Sequence, residues 1–80
     1  MDVLLFGIAK DIVGRSEIQI LAEDAVPNSV QELKAFMIRK FPDFGKLSSF
    51  AVAVNSEYAE DDVPLDSNDE IAIIPPVSGG

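Results

Sequence analysis

The 80-residue sequence contains no cysteine, no histidine and no tryptophan. Without cysteine there is no disulfide, no thiolate nucleophile and no cysteine-based metal site. Without histidine the chain lacks the usual side-chain base near neutral pH and the commonest metal ligand. A Ser-His-Asp or Cys-His catalytic arrangement is therefore excluded within this chain. Cations are scarce as well, 6 Lys and Arg against 14 Asp and Glu, for a net charge of −8. Nucleic-acid binding needs clustered cations to meet phosphates, so it is disfavoured, as is docking on an anionic membrane. No apolar run approaches the ~20 residues that span a bilayer. The opening Met1-Asp2-Val3-Leu4-Leu5-Phe6 lacks the basic segment of a signal peptide. A cytoplasmic protein with no nucleic-acid or membrane partner is expected. No metal site is expected either, since the Asp and Glu spacing fits no EF-hand loop.

What is present reads as one folded domain, with a hydrophobic fraction of 48%. Val3-Leu4-Leu5-Phe6 has strand length and ends at Gly7. Ile8 to Val13 suits one or two helical turns, with Ile8, Ile12 and Val13 inward and Gly14 as the stop. Glu17 to Leu21 alternates polar and apolar as a half-buried strand does. The main helix starts at Ser29, where Ser29-Val30-Gln31-Glu32 forms a capping box. Val30, Leu33, Met37 and Phe41 then share a face, flanked by Phe36, and Pro42 ends the helix. Ala51 to Val54 is a strand, followed by a turn at Asn55-Ser56 and a short strand around Tyr58. Pro64 to Asp69 reads as turns, with Asn68 suited to a left-handed conformation. Ile71 to Ile74 is the last strand. The expected class is α+β, a mixed sheet packed on one main helix, with residues 1–74 as the domain and 75–80 as a flexible tail.

The tail, Pro75-Pro76-Val77-Ser78-Gly79-Gly80, has a physical logic. Prolines favour the extended polyproline form and would project the chain away from the sheet. Gly79 and Gly80 lack side chains and fit a slot too narrow for other residues. At about 3.3–3.6 Å per residue the segment reaches roughly 20 Å, enough to carry a terminal carboxylate deep into another protein.

Val3-Leu4-Leu5-Phe6, Asp11-Ile12-Val13-Gly14, Ala53-Val54-Asn55, Pro64-Leu65, Asp69-Glu70 and the Pro75–Gly80 tail occur in one order along nearly the whole chain. Together they resemble the small-subunit family of molybdopterin synthase, the MoaD family. The most specific element is Asp69-Glu70, an apolar strand and then Pro-Pro-Val-Ser-Gly-Gly. Two positions depart from the family pattern: Lys10-Asp11 stands where Arg-Glu is frequent, and Asn68 where Gly is frequent. Both keep charge or turn capability. The resemblance implies a ubiquitin-like β-grasp fold. It also implies that the Gly80 carboxylate is adenylated by an activating enzyme using ATP, then converted to a thiocarboxylate with sulfur from a donor protein. The sulfur would pass to a pterin precursor held by the large synthase subunit, in a heterotetramer of two small and two large subunits. On this reading Gly80 is the reacting residue, and Pro75, Pro76, Val77, Ser78 and Gly79 insert into the partner. The chain itself is then expected to bind no cofactor and not to be catalytic alone, serving as the sulfur-donating subunit of a sulfurtransferase. Related alternatives are a thiamine-type sulfur carrier and a ubiquitin-like protein modifier.

Two further features invite a surface role. Both parities of the first and last strands are apolar. If Val3, Leu5, Ile71 and Ile73 face the helix, Leu4, Phe6, Ala72 and Ile74 face outward and need a cover. Phe6, Tyr58 and Ile74 are therefore expected to contact the partner, whereas Phe36, Phe41, Phe44 and Phe50 read as packing residues. Seven acidic residues lie between Glu57 and Glu70, and no Lys or Arg follows Lys46. They either solvate the surface or steer the chain towards basic partners.

Overall fold

In the computed structural model, which describes residues 1–21, 26–47 and 50–75, the apolar start forms strand β1 (Asp2–Leu5). Gly7, at φ 55°, turns the chain straight into a short helix, α1 (Gly7–Val13), which stops at Gly14 with φ 84°. Because the helix begins at Gly7, Ala9, Ile12 and Val13 share its inner side at i, i+3 and i+4. Ala9 is fully buried, and Ile12 and Val13 pack on the core. Ile8, expected inward, points out and is 48% exposed. Strand β2 (Glu17–Gln19) returns antiparallel to β1.

Helix α2 (Val30–Lys40) is capped by Ser29, whose Oγ accepts the Glu32 N–H at 3.2 Å. The reciprocal bond is shifted by one residue: Glu32 Oε1 accepts the N–H of Asn28, at 3.1 Å, rather than that of Ser29. Val30, Leu33, Phe36 and Met37 form the buried stripe, so Phe36 belongs to it and Phe41 becomes the half-buried C-cap. Pro42 starts a 3₁₀ helix (Pro42–Lys46). It buries Phe44 against Phe41 and Phe50, with ring centroids 6.3 and 5.3 Å away.

Strand β3 (Ala51–Val54) and strand β4 (Glu57–Ala59) form a hairpin through Asn55 and Ser56. Both turn residues have positive φ, 53° and 71°, as a type I′ turn requires. Asn68, expected to be left-handed, is not; outside glycine, only Asn55 and Ser56 adopt positive φ among the described residues. Carboxylates shape that turn instead. Asp66 Oδ1 accepts the Asn68 N–H at 3.0 Å, and Asp69 Oδ2 accepts the Asp66 N–H at 2.9 Å.

Strand β5 (Ile71–Ile74) enters the middle of the sheet, whose order is β2-β1-β5-β3-β4. It runs parallel to β1 and antiparallel to β3. Val3, Leu5, Val52, Ile71 and Ile73 point to the α2 side and are buried to 2% exposure or less. They meet Val30, Leu33 and Met37 in one core. This is the α+β β-grasp arrangement, a mixed sheet on one main helix.

Candidate functional site

The opposite face of the sheet carries the second parity. Register places Leu4 beside Ala72, Ala72 beside Ala53, and Ala53 beside Tyr58, one row crossing β1, β5, β3 and β4. Two alanines in the middle of that row leave a floor lower than its flanks. Phe6, Tyr58 and Ile74 stand around it, enclosing with Leu4 a shallow apolar depression of about 340 Å³. Phe6 is 51% and Tyr58 74% exposed, and Ile74 is half-buried. The three residues singled out for partner contact thus converge on one site. Phe6 is not the last residue of β1, however; it is the extended N-cap of α1, at φ −127° and ψ 154°. Ala72 was expected on this outward parity, and Ala53, the other floor residue, was not singled out by the sequence.

The same corner is where the chain leaves the sheet. Pro75 follows β5 directly and is half-buried. Its Cγ lies 3.2 Å from the point a Cβ on Gly7 would occupy. Gly7 therefore meets two demands at once, a left-handed backbone and a close approach by the proline ring. Pro75 is held against the start of α1, beside Phe6, and its position sets the direction in which the tail begins. Pro76, Val77, Ser78, Gly79 and Gly80 lie outside the described residues.

Polar groups fix the rim. Asn55 Nδ2 donates to Asp69 Oδ1 at 3.0 Å, and the Glu70 N–H donates to Asn55 Oδ1 at 3.0 Å. The Asn55 N–H donates to the Glu70 carbonyl at 2.7 Å. These bonds tie the tip of the β3–β4 hairpin to the start of β5, so Ser56 and Glu70 hold one side of the depression. Hydrogen bonds from the Asp66 N–H and the Asn55 amide hold the Asp69 carboxyl below the usual carboxylate range. A lowered folded value stabilises the fold at neutral pH, and the contribution is lost only as pH falls below the ordinary range.

The acidic segment is not uniform. Asp61 pairs with Lys34 of α2 at 2.7 Å, and its carbonyl accepts the Gln31 N–H at 3.0 Å. Asp66 and Asp69 build the turn described above. Glu57, Glu60, Asp62 and Glu70 remain exposed and are the members of the group free to act on partners.

Among the described residues no polar side chain is buried and no three metal-ligating side chains converge. None of the described helices is long and apolar enough to cross a membrane. The outer face thus presents an apolar depression beside the end of β5 and Pro75.

Comparison with known proteins shows the family. Residues 3–80 match the profile of the ThiS family. A molybdopterin synthase sulfur carrier subunit from Dictyostelium discoideum is 40% identical, covering 98% of this chain and 93% of its own. One from Arabidopsis thaliana is 34% identical, with 98% and 80% covered. A solved Pyrococcus furiosus structure, described as molybdopterin converting factor subunit 1, superposes with a TM-score of 0.80 at 22% identity, covering 95% of each chain. A solved complex of subunits 1 and 2 of the molybdopterin-converting factor from Helicobacter pylori 26695 contains a chain 29% identical to this one. It superposes with a TM-score of 0.63, covering 99% of this chain and 96% of that one. The chain belongs to the ThiS family, and within it to the molybdopterin synthase sulfur carrier subunits.

Proposed function

We propose that this chain carries sulfur on the carboxyl carbon of Gly80 and delivers it to a pterin precursor bound by the large subunit of molybdopterin synthase. The observation that carries the reading is the joint placement of Phe6, Tyr58 and Ile74 around an apolar depression, next to Pro75 where the tail departs. A partner that takes in the tail has to lie against this corner, and the corner offers it apolar surface to bury. The solved complex of the Helicobacter pylori subunits supports a large-subunit partner of this kind.

The chemistry suits a chain without cysteine or histidine. A carboxylate resists direct attack by sulfur, so an activating enzyme first joins it to AMP from ATP, releasing pyrophosphate. A sulfide equivalent from a donor protein then attacks the carbonyl carbon and AMP leaves, giving a thiocarboxylate. The thiocarboxylate sulfur bonds to a pterin carbon, and water then cleaves the acyl carbon–sulfur bond of the resulting thioester, leaving sulfur on the pterin and restoring the carboxylate. Each step draws its catalytic groups from a partner. This chain supplies the acyl terminus, the reach of Pro75–Gly80 and the docking face. The cytoplasm, where ATP and reduced sulfur donors coexist, is the proposed setting, and a heterotetramer with two copies of each subunit is the proposed assembly.

Reconstitution tests this directly. Thiocarboxylated protein is about 16 Da heavier than the carboxylate form, a shift readable by intact mass. Mixed with the large subunit and the pterin precursor, it should lose that mass as sulfur transfers. Deleting Gly80, or adding one residue after it, should abolish activation and transfer with the melting temperature unchanged. Full transfer by the deletion variant would refute the role of Gly80.

A further inference from the structure

The sheet has two edges, and the β2 edge borders a groove unrelated to the outer face. Ile18 and Ile20 form one wall, and Phe36 and Phe41 of the α2 end form the other, enclosing about 300 Å³. It shares no lining residue with the Phe6–Tyr58–Ile74 depression. Arg15 and Lys40 stand on its rim. The Lys40 ammonium lies 5.9 Å from the Phe36 ring centroid, and the Arg39 guanidinium 5.7 Å. In a chain with 6 cations and a net charge of −8, two cations line this one apolar groove and a third, Arg39, lies over the ring of Phe36, which lines it.

The backbone beside the groove has hydrogen-bonding groups to offer. The Leu5 N–H donates to the Ser16 carbonyl at 2.8 Å, and the Ile20 N–H donates to the Met1 carbonyl at 2.8 Å. The Met1 nitrogen donates in return to the Ile20 carbonyl at 3.0 Å. In an antiparallel pair the bonded residues alternate, so Ser16, Ile18 and Ile20 turn their polar groups to β1. Glu17 and Gln19 turn theirs outward, and among the described residues β2 is the last strand on that side.

We infer that this groove receives an extended, acidic segment of a partner protein, which adds a strand to β2 through the main chain of Glu17 and Gln19. Alternation along an added strand would send every second side chain over Ile18 and Phe41, the half-buried members of the groove, so those positions are apolar. The flanks of the segment are acidic, because Arg15, Arg39 and Lys40 are the charges they meet. Glu17 is the exposed carboxylate on this edge, whereas seven acidic residues between Glu57 and Glu70 repel such a segment on the other side. A basic segment would be drawn instead to the Glu57–Glu70 side.

The test titrates the full-length, isotope-labelled chain with two synthetic peptides by NMR. One has a Val-Ile-Val core between runs of aspartate, and the other has the same core between runs of lysine. Saturable amide shifts centred on Arg15, Glu17 and Gln19 are expected, with the aspartate peptide tighter by about tenfold or more. Joint reversal with Arg15→Glu and Lys40→Glu should erase that preference. Gln19→Pro removes an outward N–H that β1 does not use, and should abolish binding with the melting temperature retained. If Gln19→Pro unfolds, the charge-reversal pair decides by itself. Four outcomes overturn the proposal: equal affinity for both peptides, shifts centred on Ala53 and Ala72, no shifts at millimolar peptide, or concentration-dependent shifts at β2 without peptide. The last would assign the edge to a second copy of this chain.

Discussion

Gly7→Ala perturbs the one place where backbone strain and the tail meet. An L-residue in the left-handed region costs about 1–2 kcal/mol. Gly14 supplies the reference, because it has φ 84° with open space where a Cβ would go, whereas a Cβ at Gly7 would meet Pro75 Cγ at 3.2 Å. Gly14→Ala should therefore show the conformational cost alone. That cost lowers the melting temperature by about 4–8 °C per kcal/mol in a domain of this size. Gly7→Ala should show the same loss plus a crowding term, kept under about 1 kcal/mol because the proline ring can shift by a few tenths of an ångström. The shift matters more for transfer than for folding. Pro75 sets the direction in which the tail begins. Misplacing a reacting group by about 1 Å can slow chemistry by about 100-fold. Single-turnover sulfur transfer by Gly7→Ala should fall by about tenfold, while Gly14→Ala stays near wild type. Adding Pro75→Ala to Gly7→Ala should return the crowding term and leave the backbone term, a coupling that a double-mutant cycle isolates. Equal melting of Gly7→Ala and wild type would refute the backbone argument. Zero coupling with Pro75→Ala would refute the contact.

Phe6→Ala and Ile74→Ala should each weaken large-subunit binding by about tenfold or more, about 1.4 kcal/mol, with folding retained because neither side chain belongs to the core cluster; calorimetric binding beside thermal melting checks this, and a collapsed melting temperature with normal binding would move them into the core. Ser56→Gly should raise the melting temperature by about 2–6 °C, since Ser at φ 71° holds the second position of a type I′ turn that glycine occupies without strain. No gain would mean that the added freedom of glycine in the unfolded chain offsets the relief.

The periodic parts of this molecule were legible in its sequence and the nonlocal parts were not. The parity of Val3-Leu4-Leu5 and Ile71-Ala72-Ile73-Ile74 separates a core face from an outer face, and the strands follow it. That Leu4, Ala72, Ala53 and Tyr58 form one row depends on the pairing register of four strands, which no local pattern specifies. Gly7 read as a strand stop because its second constraint comes from Pro75, at the far end of the sequence. Asn68 and Asn55 were equally suited to a left-handed turn. The tight hairpin imposes that conformation on Asn55, while the Asp66 carboxylate satisfies the Asn68 N–H without it. Ile8 failed for a local reason: a helix starting at Gly7 turns Ala9 rather than Ile8 towards the core.

The outer face also explains why so acidic a chain suits the proposed role. A sheet that leaves Phe6 and Tyr58 exposed beside a second apolar layer is prone to self-association. Here Glu70 lies on the rim, Glu57 neighbours Tyr58, and the whole chain repels its own copies with a charge of −8. On the proposed reading, the same charge favours partners that bring positive charge to this surface. Its floor of Ala53 and Ala72 keeps the depression shallow, so a partner gains contact mainly from Phe6, Tyr58 and Ile74. A carrier that is charged with sulfur by one enzyme and unloaded by another needs a face that both can hold and both can release. A few exposed anchors around a shallow floor, screened by like charge from self-pairing, meet that need better than a deep pocket would.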